Sequence, residues 1–170
     1  MRIKRILSVL LLLGVVVALA LPNHSVVARK LVYKAQMTTG AELHTVVGSE
    51  ARGSAVFGSA VDGSFNFTVQ VRGLSGPATG LHIHGPADVT QTAPVLIGLC
   101  GSPGIAAAGP CVTDADGTLT VSGNINSTVL ANWGVSGGTF LSLLRDGLLY
   151  VNVHTALNPA GEARGQIYEN

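Results

Sequence analysis

Apolar and polar residues alternate without a break over Phe65–Arg72: Phe65, Phe67, Val69 and Val71 point one way, and Asn66, Thr68, Gln70 and Arg72 the other. Successive side chains of a β-strand leave opposite faces, so this is the pattern of a strand with one buried face. Residues 52–61 precede it, and Asp62-Gly63 between the two runs is a tight-turn pair that predicts an antiparallel hairpin. The same period recurs at Leu31, Tyr33, Ala35 and Met37, at Leu81 and Ile83, at Leu119 and Val121, at Leu149, Val151 and Val153, and at Ala163, Gly165 and Ile167. With residues 94–99 these runs predict about eight short strands separated by Gly, Pro, Asp and Asn, the spacing of an antiparallel all-β sandwich or small barrel. Two segments depart from it. Asn126-Ser127-Thr128 is placed to cap a short helix reaching Trp133, and residues 139–145 predict a second helical turn before Asp146-Gly147. No internal repeat or low-complexity linker interrupts the pattern.

One apolar stretch does not alternate. Residues 6–21 are uncharged and follow Arg2, Lys4 and Arg5, with small residues beyond, as in a secretory signal peptide. Two positions fit cleavage, after Ala28 and, as the alternative, after Ala20, so residues 1–28 are read as leader and 29–170 as one β-domain. Sixteen residues fall short of the ~20 that a spanning helix needs, so no stable membrane span is expected once the leader is removed. The leader also explains the composition. The chain has 47% hydrophobic and only 11% charged residues, with a mean hydropathy of +0.46, but 19 of the hydrophobic residues lie in positions 1–28. The remainder is an ordinary, glycine-rich and charge-poor domain.

Without the leader seven cations face nine acids, a net charge of about −2 with no basic run, which leaves nucleic-acid binding without electrostatic footing. Cys100 and Cys111 are the only cysteines. In an oxidising compartment their default is a disulfide closing a short loop, worth roughly 3 kcal/mol. Ten intervening residues and no neighbouring histidine make a poor zinc site.

The candidate chemistry lies in Leu81-His82-Ile83-His84-Gly85. Residues two apart on a strand share a face, so His82 and His84 project together while Leu81 and Ile83 enter the core. Along 149–154, Tyr150, Asn152 and His154 likewise oppose Leu149, Val151 and Val153. If the two strands are neighbours, three imidazoles converge, a set that suits copper or zinc with a fourth position left to water or another residue. The same spacing also fits plain strand histidines that hydrogen-bond loop carbonyls. In 158–167, Arg164 is placed either over the histidines' face, where it would attract an anion, or in a pair with Glu162 on its own strand. The loops 85–93, 101–118 and 155–162 are expected to gather around this face. There is no Gly-x-Ser-x-Gly elbow, no phosphate-binding glycine loop and no free thiolate. Asp114-Ala115-Asp116-Gly117 lacks the remaining ligands of a calcium loop, and Asp62, Asp88, Asp114 and Asp116 read as caps of backbone amides in turns. Asn66-Phe67-Thr68 and Asn126-Ser127-Thr128 are glycosylation sequons, usable only in a eukaryotic secretory pathway.

Gly80-Leu81-His82-Ile83-His84-Gly85, Tyr150-Val151-Asn152-Val153-His154-Thr155 and Asn158-Pro159-Ala160-Gly161-Glu162-Ala163-Arg164-Gly165-Gln166-Ile167 resemble, in order and spacing, the CHRD domain named after chordin. The resemblance extends over about residues 30–168. Glu42 takes the place of the family's Glu before a Val-Pro-Pro stretch, which Leu43-His44-Thr45 replaces here. It implies an immunoglobulin-like, superoxide-dismutase-like Greek-key β-sandwich. In copper/zinc superoxide dismutases a His-x-His pair and a later strand-end histidine bind copper, and an arginine after an Asn-Ala-Gly turn guides superoxide. By that likeness His82, His84 and His154 would be copper ligands and Arg164 an anion guide. No histidine-rich zinc loop follows His84 and no bridging histidine is present, Asp88 and His44 being the nearest candidates.

The resemblance therefore implies an exported, non-enzymatic binding or structural module of the cell envelope or extracellular space, in the periplasm if the cell is Gram-negative, with an extracellular protein or matrix ligand. The alternative is a copper-binding protein with weak dismutase-like redox activity. Inhibition of a protein partner, as in chordin, rests on the family name alone.

Overall fold

The computed structural model of the protein describes residues 29–101 and 106–170; the leader read at 1–28 lies outside them. The expected all-β architecture is present. β1 (Val32–Thr38), β2 (Arg52–Ser59), β3 (Phe65–Arg72), β4 (Ala78–His84), β5 (Val95–Gly101), β6 (Leu119–Ile125), β7 (Tyr150–Thr155), β8 (Ala163–Gln166) and β9 (Tyr168–Glu169) join in one antiparallel, nearly closed sheet. The ninth strand, a two-residue partner of β1, is one more than the alternation announced. Along the sheet the order is β5-β4-β7-β8-β1-β2-β3-β6. β8 and β1 meet through the single pair Thr38↔Arg164, a narrow seam between a β5-β4-β7-β8 layer and a β1-β2-β3-β6 layer. The chain crosses between layers after β3, β5, β6 and β8, which sets β3 beside β6, β4 beside β7 and β9 beside β1.

Alternation places the core as predicted. Tyr33, Ala35 and Met37 of β1, Ala55 and Phe57 of β2, and Phe65, Phe67, Val69 and Val71 of β3 are buried against Leu81, Ile83, Ile97, Leu99, Leu119, Val121, Val151 and Val153. At ~1.5–3 kcal/mol for each large apolar side chain removed from water, this inner face dominates the stability of the fold. β2 and β3 form the hairpin, with Gly63 at φ 81° in its turn, a conformation costly for any other residue. The Asn126 side chain accepts a hydrogen bond from the Val129 amide and starts α1 (Ser127–Asn132). Ser136 does the same for Thr139, which begins α2 (Gly137–Arg145) two residues ahead of the predicted start. Phe140 of α2 meets the Phe65 ring edge-on at 5.6 Å, closing that end of the core. Cys100 and Cys111 are disulfide-bonded. The Ala107 and Ala108 amides bond the Gly98 and Leu99 carbonyls of β5, so residues 107–108 run along the edge of that strand. Among the described residues no helix is long and apolar enough to cross a membrane.

Whereas β1 and β3 alternate buried and exposed residues, β4 and β7, like much of β5 and β8, are buried on both faces. Their inner residues enter the core, and their polar outer residues are covered by loops. Residues 85–94 fold back over them: the Ala87 amide bonds the Leu148 carbonyl, and Arg164 and Gln166 of β8 bond carbonyls of the same loop. Residues 42–50 approach from the other side, where the Val47 amide and carbonyl bond the Asn158 side chain. The expected gathering of three loops is therefore corrected in one member. Loops 85–94 and 155–162 meet over this face, the third is 42–50, and the 106–111 stretch is engaged by β5 instead.

Candidate metal centre

Register decides which outer residues meet. β4 and β7 pair with Gly80 opposite His154, His82 opposite Asn152 and His84 opposite Tyr150, and across β7 and β8 Asn152 faces Arg164. His82, His84 and His154 consequently converge, with ring centroids 4.8 Å apart for His82 and His154, 5.6 Å for His84 and His154, and 5.7 Å for His82 and His84. One nitrogen of each lies within 4.8 Å of the others. Three nitrogens bonded to one ion at ~2.0–2.1 Å stand roughly 3.4 Å apart, which is about 1.4 Å below the 4.8 Å that bounds the separations here.

Two of the imidazoles are held in a defined tautomer. His84 Nδ1 lies 3.0 Å from the Ala93 carbonyl oxygen and His154 Nδ1 lies 3.1 Å from that of Pro159. A carbonyl only accepts, so each Nδ1 carries the proton and each Nε2 the lone pair. Both Nε2 atoms are buried and have no hydrogen-bond partner among the described residues. His154 as a residue is half-buried. Burial lowers the His84 pKa to about 4, against the raising effect of its bond to Ala93. Burial also lowers that of His154. Both are neutral at pH 7, the form that ligates a metal.

Around the histidines the polar residues are individually accounted for. Tyr150 stacks on His84 and its hydroxyl bonds the backbone of Ala93. Arg164, 2% exposed, lies with its guanidinium 3.5 Å from the Tyr150 ring centroid and donates to the carbonyls of Gln91 (2.8 Å) and Asp88 (2.7 Å). The expected pairing of Arg164 with Glu162 is not formed. Glu162, fully buried, instead accepts from Ser49, Ser75, Thr155 and Asn158, because the 155–162 turn directs it toward the β2 and β4 loops. The nearby acid is Glu42. It sits beside His44 and Asn152, and burial raises its pKa to about 7 against the lowering effects of His44, Arg164 and Asn152. Gly161, at φ 138°, admits this arrangement: a Cβ there would stand 2.5 Å from Asn152 Nδ2 and 2.7 Å from Glu42 Oε1. His44 itself bonds the Gly161 carbonyl. The roles of Ala93, Pro159 and Asn152 had no signal in the sequence beyond Asn152 and Tyr150 sharing the face of His154, since a carbonyl acceptor can be supplied by any residue.

The family model of the CHRD domain matches residues 33–167. The chain belongs to the CHRD domain family. No curated protein and no solved structure matches it. Membership supports, at the level of the family, a non-enzymatic extracellular or binding module, and the internal disulfide of this CHRD domain fits an oxidising compartment. The motifs that carried the resemblance supply β4, β7 and β8, the three strands that build the histidine face.

Proposed function

We propose that this CHRD domain is an exported, non-enzymatic module of the envelope or extracellular space that binds one copper ion through His82, His84 and His154. The observation that carries the reading is the convergence of three ligand nitrogens within 4.8 Å, two of them buried Nε2 lone pairs whose ring partners are fixed by backbone carbonyls. Orientation of a ligating imidazole by a hydrogen bond from its second nitrogen is the usual support of a metal site. An all-imidazole donor set suits copper and zinc, and copper binds the more tightly in the general order of divalent ions. Binding rather than dismutation is favoured by Arg164. Its donors are engaged by Gln91, Asp88 and Gln166, which supports a role in pinning the loop over the site rather than in guiding an anion. Residues 1–28 supply the export signal in this reading, with cleavage before Arg29 or, alternatively, before Leu21.

The test is titration of the purified mature protein with copper, and with zinc for comparison, alongside His82→Ala, His84→Ala and His154→Ala. One copper per chain is expected, with affinity falling at least 100-fold in each variant while the disulfide and fold persist. Absence of titratable copper, or variants that bind as wild type does, overturns the metal reading. Copper-dependent removal of superoxide faster than by free copper would overturn the non-enzymatic one. The N-terminal residue of exported protein checks the leader.

A further inference from the structure

On the outer face of the second layer, Arg52 of β2 stands directly opposite Arg72 of β3. Like charges in this position repel, and sheets ordinarily place opposite charges or hydroxyls there. Among the described residues neither arginine takes part in an ion pair or a side-chain hydrogen bond, the two ion pairs being Arg29 with Glu169 and His44 with Glu42. Both arginines are exposed and line a groove of about 480 Å³ together with Gln36, Thr38, Ser54 and Gln70. Farther along, the same face carries Lys34 on β1, a Thr68–Ser122 hydroxyl pair and Gln70 bonded to Thr120. Every outward residue of β1, β2, β3 and β6 on this face is cationic, neutral polar or aliphatic, and none is acidic. In a domain whose net charge without the leader is about −2, this is a local reversal of sign.

We infer that this face is a binding site for an anionic polysaccharide, with the Arg52–Arg72 pair gripping a carboxylate or sulfate of the chain. A guanidinium presents a planar fork of donors that matches either oxyanion bidentately, and a bound anion between two opposed forks converts their repulsion into attraction. The hydroxyl and amide ladder beyond the pair offers neutral donors and acceptors to sugar hydroxyls. The groove, running across neighbouring strands, suits an extended polymer rather than an isolated ion, and the extracellular or envelope character of the family puts such polymers within reach. The site is independent of the histidine centre, so either can fail without the other.

The experiment measures binding of the mature protein to immobilised dextran sulfate and polygalacturonate, with neutral dextran as control and inorganic sulfate as competitor. Affinity for at least one polyanion is expected, weakening as salt is raised, and which polymer binds distinguishes sulfate ester from carboxylate. Arg52→Gln and Arg72→Gln should each lower affinity about fivefold to tenfold and the double variant at least 30-fold, while Lys34→Gln changes it less than twofold. The thermal midpoint of the double variant should equal or exceed that of wild type, because an opposed charge pair is removed. Should that variant fail to fold, Arg52→Lys with Arg72→Lys carries the test, keeping the charge and losing the forks, with an expected intermediate loss. The proposal is overturned if neither polyanion binds, if neutral dextran binds equally, if the double variant stays within twofold of wild type, or if inorganic sulfate displaces the polymer at equal sulfate concentration.

Discussion

The imidazole of His84 lies flat on the phenol of Tyr150, with ring centroids 4.9 Å apart and planes within 6°, and both rings donate to the same Ala93 carbonyl. Tyr150 thereby fixes the ring plane of His84 and the loop that selects its tautomer. Tyr150→Phe keeps the stack and removes the hydroxyl's bonds to the Ala93 amide and carbonyl. Expected is a loss of about 1–2 kcal/mol in unfolding free energy and a roughly tenfold weaker copper affinity. Denaturant unfolding and copper titration check the two separately, and unchanged affinity would show that the loop needs no help from Tyr150.

Glu162 is a buried carboxylate with no cation partner among the described residues, stabilised by hydroxyl and amide donors from Ser49, Ser75, Thr155 and Asn158. Burial acts to raise its pKa, but these hydrogen bonds outweigh burial and leave it lowered. Glu162→Gln turns one acceptor into a donor facing donors, and should cost about 2–4 kcal/mol by chemical denaturation. Because the folded pKa is lowered, the contribution of Glu162 is present above the ordinary glutamate pKa and lost as pH falls through the folded value.

Two buried groups give stability opposite slopes with pH. The folded pKa of His84 is about 4 against an ordinary 6.5, so the unfolded chain takes up the proton first and stability falls as pH drops from 6.5 toward 4. Glu42, raised to about 7 from 4.5, keeps its proton when the unfolded chain has lost it, so stability falls as pH rises from 4.5 through 7. In wild type the two largely cancel between 4.5 and 6.5. Glu42→Gln removes one slope: relative to wild type it should gain about 3 kcal/mol between pH 4 and 8, and its own stability should rise by about 2 kcal/mol between 4.5 and 6.5. Urea unfolding across this range measures both, and parallel curves for the two proteins would refute the assignment to Glu42.

The disulfide joins residues 11 apart. Replacing Cys100 and Cys111 together by serine should lower stability by about 3 kcal/mol in the loop-entropy account. It should also speed hydrogen exchange at the Ala107 and Ala108 amides, which bond β5 inside that loop. Exchange unchanged at these amides would mean that the loop docks without its covalent tie.

What was legible in the sequence was local. Phe65–Arg72 revealed its strand because the pleat forces a period of two, Asp62-Gly63 its hairpin because the turn needs glycine at positive φ, and Asn126 its helix start because a short oxygen-bearing side chain can close the first turn. The pairing of Cys100 with Cys111 followed from there being no other cysteine, and the shared face of His82 and His84 from a spacing of two.

Partners distant along the chain were not legible. That β7 lies beside β4, bringing His154 to His82 and His84, depends on how two layers bury their inner faces against each other, which fixes strand order through contacts between residues some 70 positions apart. Arg164 and Glu162 show the limit most plainly: two opposite charges at a spacing of two invited a pair, yet each is satisfied by a different loop. Alternation thus determined which side chains leave the core and on which face. Only the tertiary structure decided what they meet there, because a polar group taken out of water must find a partner, and packing rather than proximity in sequence supplies it.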